Sequence, residues 1–330
     1  MLARPLRSAW HFQTNREESI MKRILTYSIL LALASAPSAA RAAELSAADK
    51  EKIDQALPAK ATVKPKRARK LLLLNVNVRD DGRRPTIEPA MAGGNYAIIG
   101  MGKKTGAYTT VFTTDVESLR PENLKQYDAI CFNNTQGVIT TDKALRESLL
   151  AYVASGKGFV AFHAGGAATF VQYPKYDQFP PFGEMVGGYE DGGHPWGPQD
   201  TIRIHVEDPK NPVNAVFKGQ DFTIQHQVMQ FRAPYSREKL HVLLSIDVEK
   251  SDYDPKRRRV LPERQLDKDF PMSWIKTYRK GRVFYSVFGH NADINWNPTI
   301  LQHHLAGIQY ALGDLKADDT PSAKLAAKRK

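Results

Sequence analysis

Cysteine is almost absent from this chain: among 330 residues there is only Cys131. A single thiol cannot form an intrachain disulfide, so a packed core must hold the fold together, which a chain of this length can supply. Cys131 lies in YDAICFNN (127–134), a pattern typical of a buried strand, and has no histidine beside it. We therefore expect a small buried hydrophobic residue and not a catalytic thiol.

Phosphate-binding motifs are also lacking. In GMGKKTG (100–106), Ala97 occupies the position where a phosphate loop needs its first glycine. The overlapping GGNYAIIGMG (93–102) does not have the G-x-G-x-x-G spacing of dinucleotide-binding turns. Neither segment therefore predicts nucleotide binding.

Basic charge is abundant, but it is concentrated at the ends of the chain. The formal net charge is +12, whereas residues 71–313 contain 28 Lys/Arg against 26 Asp/Glu, a net of +2. The excess includes KPKRARK (64–70) and AKRK (327–330). Basic ends of this kind are typical of solvated segments, so we expect no nucleic-acid partner.

The N-terminal region predicts export. From Met21, a basic start is followed by an apolar run, residues 24–36, that is too short to span a bilayer. Ala40-Arg41-Ala42 then provides an A-x-A cleavage pattern. We expect residues 1–42 to be a signal peptide region that starts at Met21. The mature protein is then periplasmic or secreted, without stable membrane insertion; an uncleaved anchor is the alternative.

The rest of the sequence predicts one α/β domain over residues 70–313, between a helix-and-linker segment (43–69) and a flexible basic tail (314–330). Continuous apolar runs of β-branched, aromatic and aliphatic residues predict buried parallel strands. The predicted strands are KLLLLNVNV (70–78), YTTVFTTD (108–115), YDAICFNN (127–134) and GFVAF (158–162). Helices predicted over 89–105 and after a Thr141 cap complete the alternation of a doubly wound, mostly parallel sheet.

Beyond residue 200, alternating or mixed patterns predict further strands, and a final helix closes the domain. Asn297 is the expected cap of that helix, with Pro298 in its first turn. The predicted strands are TIRIHVE (201–207), DFTIQHQVMQF (221–231), KLHVLLSID (239–247), MSWIKTY (272–278) and GRVFYSVFGH (281–290).

GKGFVAFHAGG (156–166) places a histidine where a buried strand ends in a tight turn that opens a helix. Many α/β enzymes place a Ser or Cys nucleophile at this corner. The dipole of the following helix disfavours an imidazolium, so we expect His163 to be neutral at pH 7. A neutral imidazole is what a general base or a metal ligand requires.

Two further histidines lie where a site is expected. His194 is in the glycine-rich GGYEDGGHPWG (187–197), an irregular loop that can close over a site. His290 ends a strand, at the sheet edge where open α/β sheets bind ligands. The spacing of His163, His194 and His290 is not a local metal motif, so a divalent metal such as zinc on these three is a hypothesis.

Aromatic, carboxylate and amide side chains near these histidines, with Glu190 and Asp191 as the carboxylates, suit a sugar, which offers apolar faces and many hydroxyl groups. Packing of Trp196 and Trp296 at the rim of the domain is the alternative. The predicted substrate-binding residues are Tyr189, Trp196, His226, Asn291 and Trp296.

Several of these segments together resemble the trehalose-utilisation (ThuA-like) family. They are GKGFVAFHAG, the Gly187-Gly188 pair followed by His194-Pro195, and PMSWIKTYRKGRVFYSVFGH (271–290) with its closing helix. The resemblance covers about residues 70–313 and implies a class I glutamine amidotransferase-like fold with a flavodoxin-like sheet, and a role in bacterial sugar catabolism. His163 lies where amidotransferases have their cysteine, which excludes glutamine hydrolysis through a thioester.

By this resemblance His163, His194 and His290 match the motif histidines of the family. Three positions depart from its pattern: His226-Gln227 replaces an Asp-Glu pair, Asn291 replaces an Asp, and Asn211-Pro212 replaces a His-Pro. The lost carboxylates indicate altered chemistry or a different substrate.

The resemblance implies an enzyme that acts on oxidised sugars such as 3-keto-glycosides, and the predicted signal peptide makes it an exported one. A ketone acidifies the neighbouring C–H, so a base and an electrophile suffice for isomerisation or β-elimination. His163 is the expected base or ligand, and His194 and His290 are expected ligands or groups that polarise the ketone. Two alternatives remain: a non-catalytic secreted carbohydrate-binding protein, and a structural partner that uses the basic ends. The sequence does not identify the sugar, the metal or the oligomeric state.

Overall fold

The computed structural model describes residues 44–329 apart from 86, 192, 255 and 257. The predicted signal peptide region, residues 1–42, lies outside the described residues. Within the described residues, no helix is long and apolar enough to cross a membrane.

The first half of the described chain alternates strands and helices, as the sequence predicts. Leu71–Leu74 are fully buried, as expected for a strand covered on both faces. The elements are α1 (Ala47–Ala56), β1 (Lys70–Leu74), α2 (Pro89–Thr105), β2 (Thr109–Thr113), α3 (Pro121–Leu124), β3 (Ala129–Asn133), α4 (Lys143–Ala154) and β4 (Gly158–Phe162).

The second half is richer in strands. It begins with a single helical turn, α5 (Ala164–Ala167), directly after His163. The remaining elements are β5 (Val171–Gln172), β6 (Tyr176–Asp177), α6 (Pro180–Val186), β7 (Tyr189–Glu190), β8 (Thr201–Val206), β9 (Phe222–Gln225), β10 (Phe231–Arg232), β11 (His241–Asp247), α7 (Pro262–Asp267), β12 (Pro271–Tyr278), β13 (Gly281–Ser286), α8 (Pro298–Ala311) and α9 (Ser322–Arg329).

Nine strands form one mixed sheet in the order β2-β1-β3-β4-β13-β12-β11-β8-β9. The α/β, flavodoxin-like fold is confirmed, but the sheet is parallel only from β2 to β13. From β13 to β9 every neighbouring pair is antiparallel. Only Arg279 and Lys280 join β12 to β13, and so short a connection allows only antiparallel pairing.

The parallel half of the sheet brings three strand ends to one edge. Phe162, the last residue of β4, pairs with Asn133 on one side and with Ser286 on the other. The residues that follow β3, β4 and β13 therefore lie side by side, including Asn134 and His163. This edge is where ligands bind in open α/β sheets.

The segments on either side of the predicted domain pack against it, unlike the predicted linker and flexible tail. Val63 exchanges two hydrogen bonds with the side chain of Gln309 on α8. Arg69 forms a buried ion pair with Asp314, with 2.6 Å between the Nη2 and Oδ1 atoms. The N–H of Ser322 donates to the backbone oxygen of Leu240, which anchors the start of α9. Basic composition alone did not reveal these specific partners.

Two local predictions also need correction. The N-cap of α4 is Asp142 and not Thr141, because the Asp142 carboxylate accepts a hydrogen bond from the N–H of Ala144. The predicted strand 221–231 is interrupted between β9 and β10, so His226 is outside regular structure. By contrast, Asn297 caps α8 as predicted, with Pro298 at its first position.

Candidate functional site

A cavity of about 400 Å³ lies at the carboxyl ends of β3, β4 and β13. Its lining includes all three predicted motif histidines and a buried carboxyl group. The polar side chains of the lining are Glu88, Asn134, Gln136, His163, Tyr173, Glu190, His194, Gln227 and His290.

His163 occupies a sharp turn between β4 and α5. Its backbone has φ +49° and ψ −123°, a conformation that L residues rarely adopt and that typically costs ~1–3 kcal/mol. A side chain at Gly165 would lie 2.0 Å from the backbone oxygen of Phe132, and one at Gly166 would meet the Tyr285 ring at 2.4 Å. The two glycines therefore let the chain pass close to the sheet, which fixes where the His163 ring points.

Asn134 determines which nitrogen of His163 carries the proton. The Asn134 amide nitrogen donates to the backbone oxygen of Gly289 at 3.2 Å, so its Oδ1 atom is the group that faces His163. The Nδ1 atom of His163 lies 2.9 Å from that oxygen and must donate to it. The Nε2 atom then holds a lone pair, and it is buried without a partner among the described residues.

The environment of His163 keeps its ring uncharged. Burial, followed by repulsion from His226, His290 and His194, lowers the pKa of His163 well below its usual value of 6.5. At neutral pH the Nε2 lone pair is therefore available to accept a proton or to bind a metal.

His290 presents a second free imidazole nitrogen. Asn291 donates through its amide nitrogen to the backbone oxygen of Pro198 at 2.8 Å, so its Oδ1 accepts from Nδ1 of His290 at 3.1 Å. In the tautomer with its proton on Nδ1, Nε2 carries a lone pair. The ring centroids of His290 and His163 are 5.4 Å apart.

Glu190 is a buried carboxyl group on the cavity wall. The Tyr173 hydroxyl donates to its Oε1 atom, whereas Oε2 has no hydrogen-bond partner among the described residues. Burial raises the pKa of Glu190 above its usual range. A carboxyl group in this environment keeps its proton to a higher pH than an exposed one does, and Oε2 is the oxygen free to carry that proton.

His194 lies next to Glu190 but does not form a conventional salt bridge with it. Its Nε2 atom is 3.9 Å from Oε2 of Glu190. Burial first, and then the charges of His290 and Arg258, lower the pKa of His194 to about 4. At neutral pH this ring is therefore uncharged and has one N–H that can donate to a ligand.

Ion pairs hold the loop that carries His194. Asp191 is fully buried and contacts the guanidinium groups of both Arg232 and Arg259. Arg259 also donates to the backbone oxygen of Asp191 at 3.1 Å, which links the 252–261 segment to this loop. The predicted surface loop after residue 252 is therefore a support of the site.

His226 lies behind the cavity and not in it. Its Nδ1 atom is 2.5 Å from the backbone oxygen of Gln227, and its Nε2 atom accepts from the N–H of Gly289 at 3.2 Å. Burial lowers the pKa of His226 to about 4. Both nitrogens are occupied, so in this arrangement the ring is not free to contact a sugar.

The other predicted substrate-binding residues also lie outside the cavity lining. Trp196 is fully buried and packs against Tyr253 and Phe270. Trp296 is half-buried, with the Lys52 ammonium 4.8 Å from its ring centroid. Both tryptophans therefore pack against other side chains, which is the alternative stated above. Asn291 contributes to the site indirectly, because it orients His290.

Tyr189 was predicted to bind the substrate, but its neighbour Glu190 lines the cavity instead. The side chains of successive strand residues point to opposite sides. In β7, the side chain of Glu190 therefore faces the cavity and that of Tyr189 faces away from it. Asn134 and Tyr173 also line the cavity and were not predicted from the sequence. Asn134 follows β3 at the same sheet edge as His163, so the strand-end rule that indicated His163 could also have indicated Asn134. No sequence pattern around Tyr173 indicated a role.

Two of the three histidines predicted to bind a metal have a ring nitrogen that can donate to one. No group of three or more His, Cys, Asp or Glu side chains in the described part of the chain is arranged to hold a metal ion. Nε2 of His163 and Nε2 of His290 have free lone pairs, which are suitable metal donors. A divalent metal on His163, His194 and His290 therefore stays a prediction.

Comparisons with known proteins agree with this architecture. The profile of the ThuA family, described as trehalose utilisation, matches residues 87–311. A ThuA-like protein from Bacteroides uniformis is 21% identical, with a TM-score of 0.55, and the match covers 77% of this chain and 95% of that one. One from Parabacteroides merdae is 14% identical, with a TM-score of 0.50, and coverage is 77% and 93%. These structures share the fold. No curated protein matches the chain.

Proposed function

The chain belongs to the ThuA family of trehalose utilisation, and on this basis we propose that it is an exported enzyme that cleaves 3-keto-glycosides by proton transfer. The observation that carries the proposal is the unpartnered Nε2 atom of His163, which is buried, neutral and directed by Asn134. A base of this kind suits the removal of a proton from carbon next to a ketone.

The proposed reaction is a β-elimination. Nε2 of His163 takes the proton from C2 of the 3-keto sugar, and the electron pair of that C–H bond becomes the enolate. The enolate then reforms the C3 ketone as a C1–C2 double bond forms and the bond from C1 to the glycosidic oxygen breaks. Addition of water to this enone gives the free 3-keto sugar, so that the net reaction is hydrolysis.

Glu190 is the proposed proton donor, and His194 is the proposed hydrogen-bond donor to the enolate. A protonated Glu190 carboxyl donates its proton to the departing glycosidic oxygen, because burial keeps its pKa raised and Tyr173 already occupies its other oxygen. The neutral His194 ring has an N–H that can stabilise the enolate oxygen. His290 lies beside His163 and is a second acceptor for protons.

Export is part of the proposal and rests on residues 21–42, where the sequence has the three parts of a signal peptide. N-terminal sequencing of the protein recovered from the periplasm or medium tests it. We expect a chain that begins near Ala43. An intact N-terminus in the cytoplasm would contradict export and would leave the chemistry of the site unaffected.

Turnover of paired substrates tests the enzymatic proposal. We expect the purified protein to cleave methyl 3-keto-glucoside and not methyl glucoside, because only the ketone acidifies the C2 proton. His163→Asn should reduce this activity by about 10²–10⁴-fold, since asparagine tolerates positive φ better than most residues but is not a base.

The matched control is His205→Asn, which changes an exposed histidine on β8. It should retain wild-type activity. A folded protein that binds the keto-glycoside without converting it would overturn the enzyme proposal and favour the carbohydrate-binding alternative.

A further inference from the structure

A second cavity, of about 360 Å³, opens beside the catalytic one. The two share Gln136, Ala168 and Tyr173 as a common wall. Because the hydroxyl of Tyr173 contacts Glu190, this second cavity, here called the side groove, begins next to the proposed proton donor. A leaving group released at Glu190 therefore has space in the side groove.

The floor of the side groove is tightly packed. The N–H of Val78 donates to the backbone oxygen of Gln136 at 2.9 Å, and the N–H of Phe170 donates to that of Gly137 at 2.9 Å. Gly137 has φ +78°, and a Cβ atom there would lie 1.9 Å from the backbone oxygen of Val78. The groove is thus formed by backbone segments in close contact, which fixes its shape.

The open wall of the side groove carries four charged side chains with no net charge. Arg83 bonds to Asp81, with 2.6 Å between its Nη2 atom and the carboxylate. Arg79 and Asp80 also line the groove, and neither side chain has a hydrogen-bond or ion-pair partner among the residues that the structure describes. One cationic donor and one anionic acceptor are therefore available to a ligand.

We infer that the side groove binds the neutral sugar ring that leaves when a disaccharide is cleaved, an inference that rests on the proposed function. A sugar ring has hydroxyl groups that both donate and accept, which matches a free carboxylate beside a free guanidinium. Arg79 and Asp80 are exposed, so both can exchange water for the hydroxyl groups of a ligand. Two arginines and two aspartates line the groove, so no net charge attracts an ionic leaving group. The balanced charge thus suits a neutral ring whose hydroxyl groups bond to Arg79 and Asp80.

Calorimetric binding of two unoxidised sugars tests this inference without requiring turnover. Trehalose presents a second ring, whereas methyl glucoside presents only one. We expect the wild-type protein to bind trehalose more tightly, and the double variant Arg79→Ala/Asp80→Ala to lose about ten- to hundredfold of trehalose affinity with methyl glucoside unchanged.

Arg84→Ala is the matched control, because this exposed arginine is in the same loop but does not line the groove. It should leave both affinities unchanged. Equal affinity of the wild type for the two sugars, or a double variant that keeps its preference for trehalose, would overturn the assignment of the groove. Failure of the enzyme to convert keto-glycosides is a separate result, since it would refute the proposed reaction and leave this binding comparison valid.

Discussion

Nδ1 of His163 and Oδ1 of Asn134 lie 2.9 Å apart, at the ends of neighbouring parallel strands. The partner of this buried histidine is an uncharged amide and not a carboxylate. The amide fixes the position of the ring proton but gives little electrostatic support to an imidazolium. The contact therefore orients His163 as a base. It does not offset burial, which lowers the pKa of His163.

Asn134→Asp should move the acidic limb of the pH profile of kcat/KM to higher pH. A carboxylate beside the ring stabilises the imidazolium, which raises the pKa of His163. Activity, which needs the neutral ring, should then be lost at a higher pH as the solution is acidified. We expect a shift of about one to three pH units. Asn123→Asp, on the surface, should not move the limb, and a limb that stays in place in Asn134→Asp would contradict the role of His163 as base.

Glu190→Gln should make the protein more stable at pH 8 but not at pH 4. The folded protein binds the Glu190 proton more tightly than the unfolded chain does, because burial raises this pKa from its usual 4.5. Its contribution to stability is present below pH 4.5 and is lost as the pH rises through the folded pKa. Glutamine avoids this loss, which we expect to be about 1–3 kcal/mol.

Chemical denaturation at the two pH values measures this difference, with the exposed Glu184→Gln as control. Turnover by Glu190→Gln should nevertheless fall, since the proton donor is removed. A variant that is equally stabilised at both pH values would show that Glu190 is not a buried acid with a raised pKa.

Asp191→Asn should destabilise the protein and weaken catalysis together. The variant loses both ion pairs that tie Arg232 and Arg259 to the His194 loop. We expect a loss of about 1–3 kcal/mol in the free energy of unfolding and a lower kcat/KM. Asp293→Asn, at an exposed position, provides the comparison. Full activity in a destabilised Asp191→Asn protein would mean that the loop does not need this anchor to hold His194.

Removal of divalent metals separates direct proton transfer from the metal hypothesis, because direct transfer predicts unchanged turnover. The proposed proton transfers use His163, Glu190 and His194 directly, and His226 has both nitrogens occupied by backbone groups. Elemental analysis of residues 43–330 and activity after dialysis against EDTA check this expectation. Stoichiometric metal that is lost in His163→Asn, together with EDTA-sensitive activity, would instead assign a metal to the histidines.

Much of the parallel half of the fold could be predicted from sequence, because buried parallel strands leave long apolar runs such as residues 71–74. Strand direction in the other half could not be predicted in this way, since an apolar or alternating run looks the same in both directions. The interruption at His226 was also hidden, because this buried histidine lies within an apolar stretch and bonds only to backbone groups.

The candidate site was predictable where its residues follow strand ends. His163 directly follows β4 and was found by that rule, and Asn134 directly follows β3 and obeys it as well. His290 was also found, although β13 ends at Ser286 and not at His290 as predicted. Glu190 was not distinguished from Tyr189, because the orientation of the two-residue strand β7 depends on its pairing with β10. The aromatic side chain of Trp196 suggested a sugar platform, yet its burial against Phe270 depends on long-range packing that the local sequence does not reveal.

Proton exchange at C2 of a keto-glycoside tests the central claim most directly. Methyl 3-keto-glucoside is incubated in D₂O with wild type, His163→Asn or His205→Asn, and the C2–H signal and the products are followed by proton NMR. We expect rapid loss of that signal with wild type and His205→Asn, and its persistence with His163→Asn. Persistence with the folded wild-type protein, or equal loss with His163→Asn, would contradict the assignment of His163 as the base.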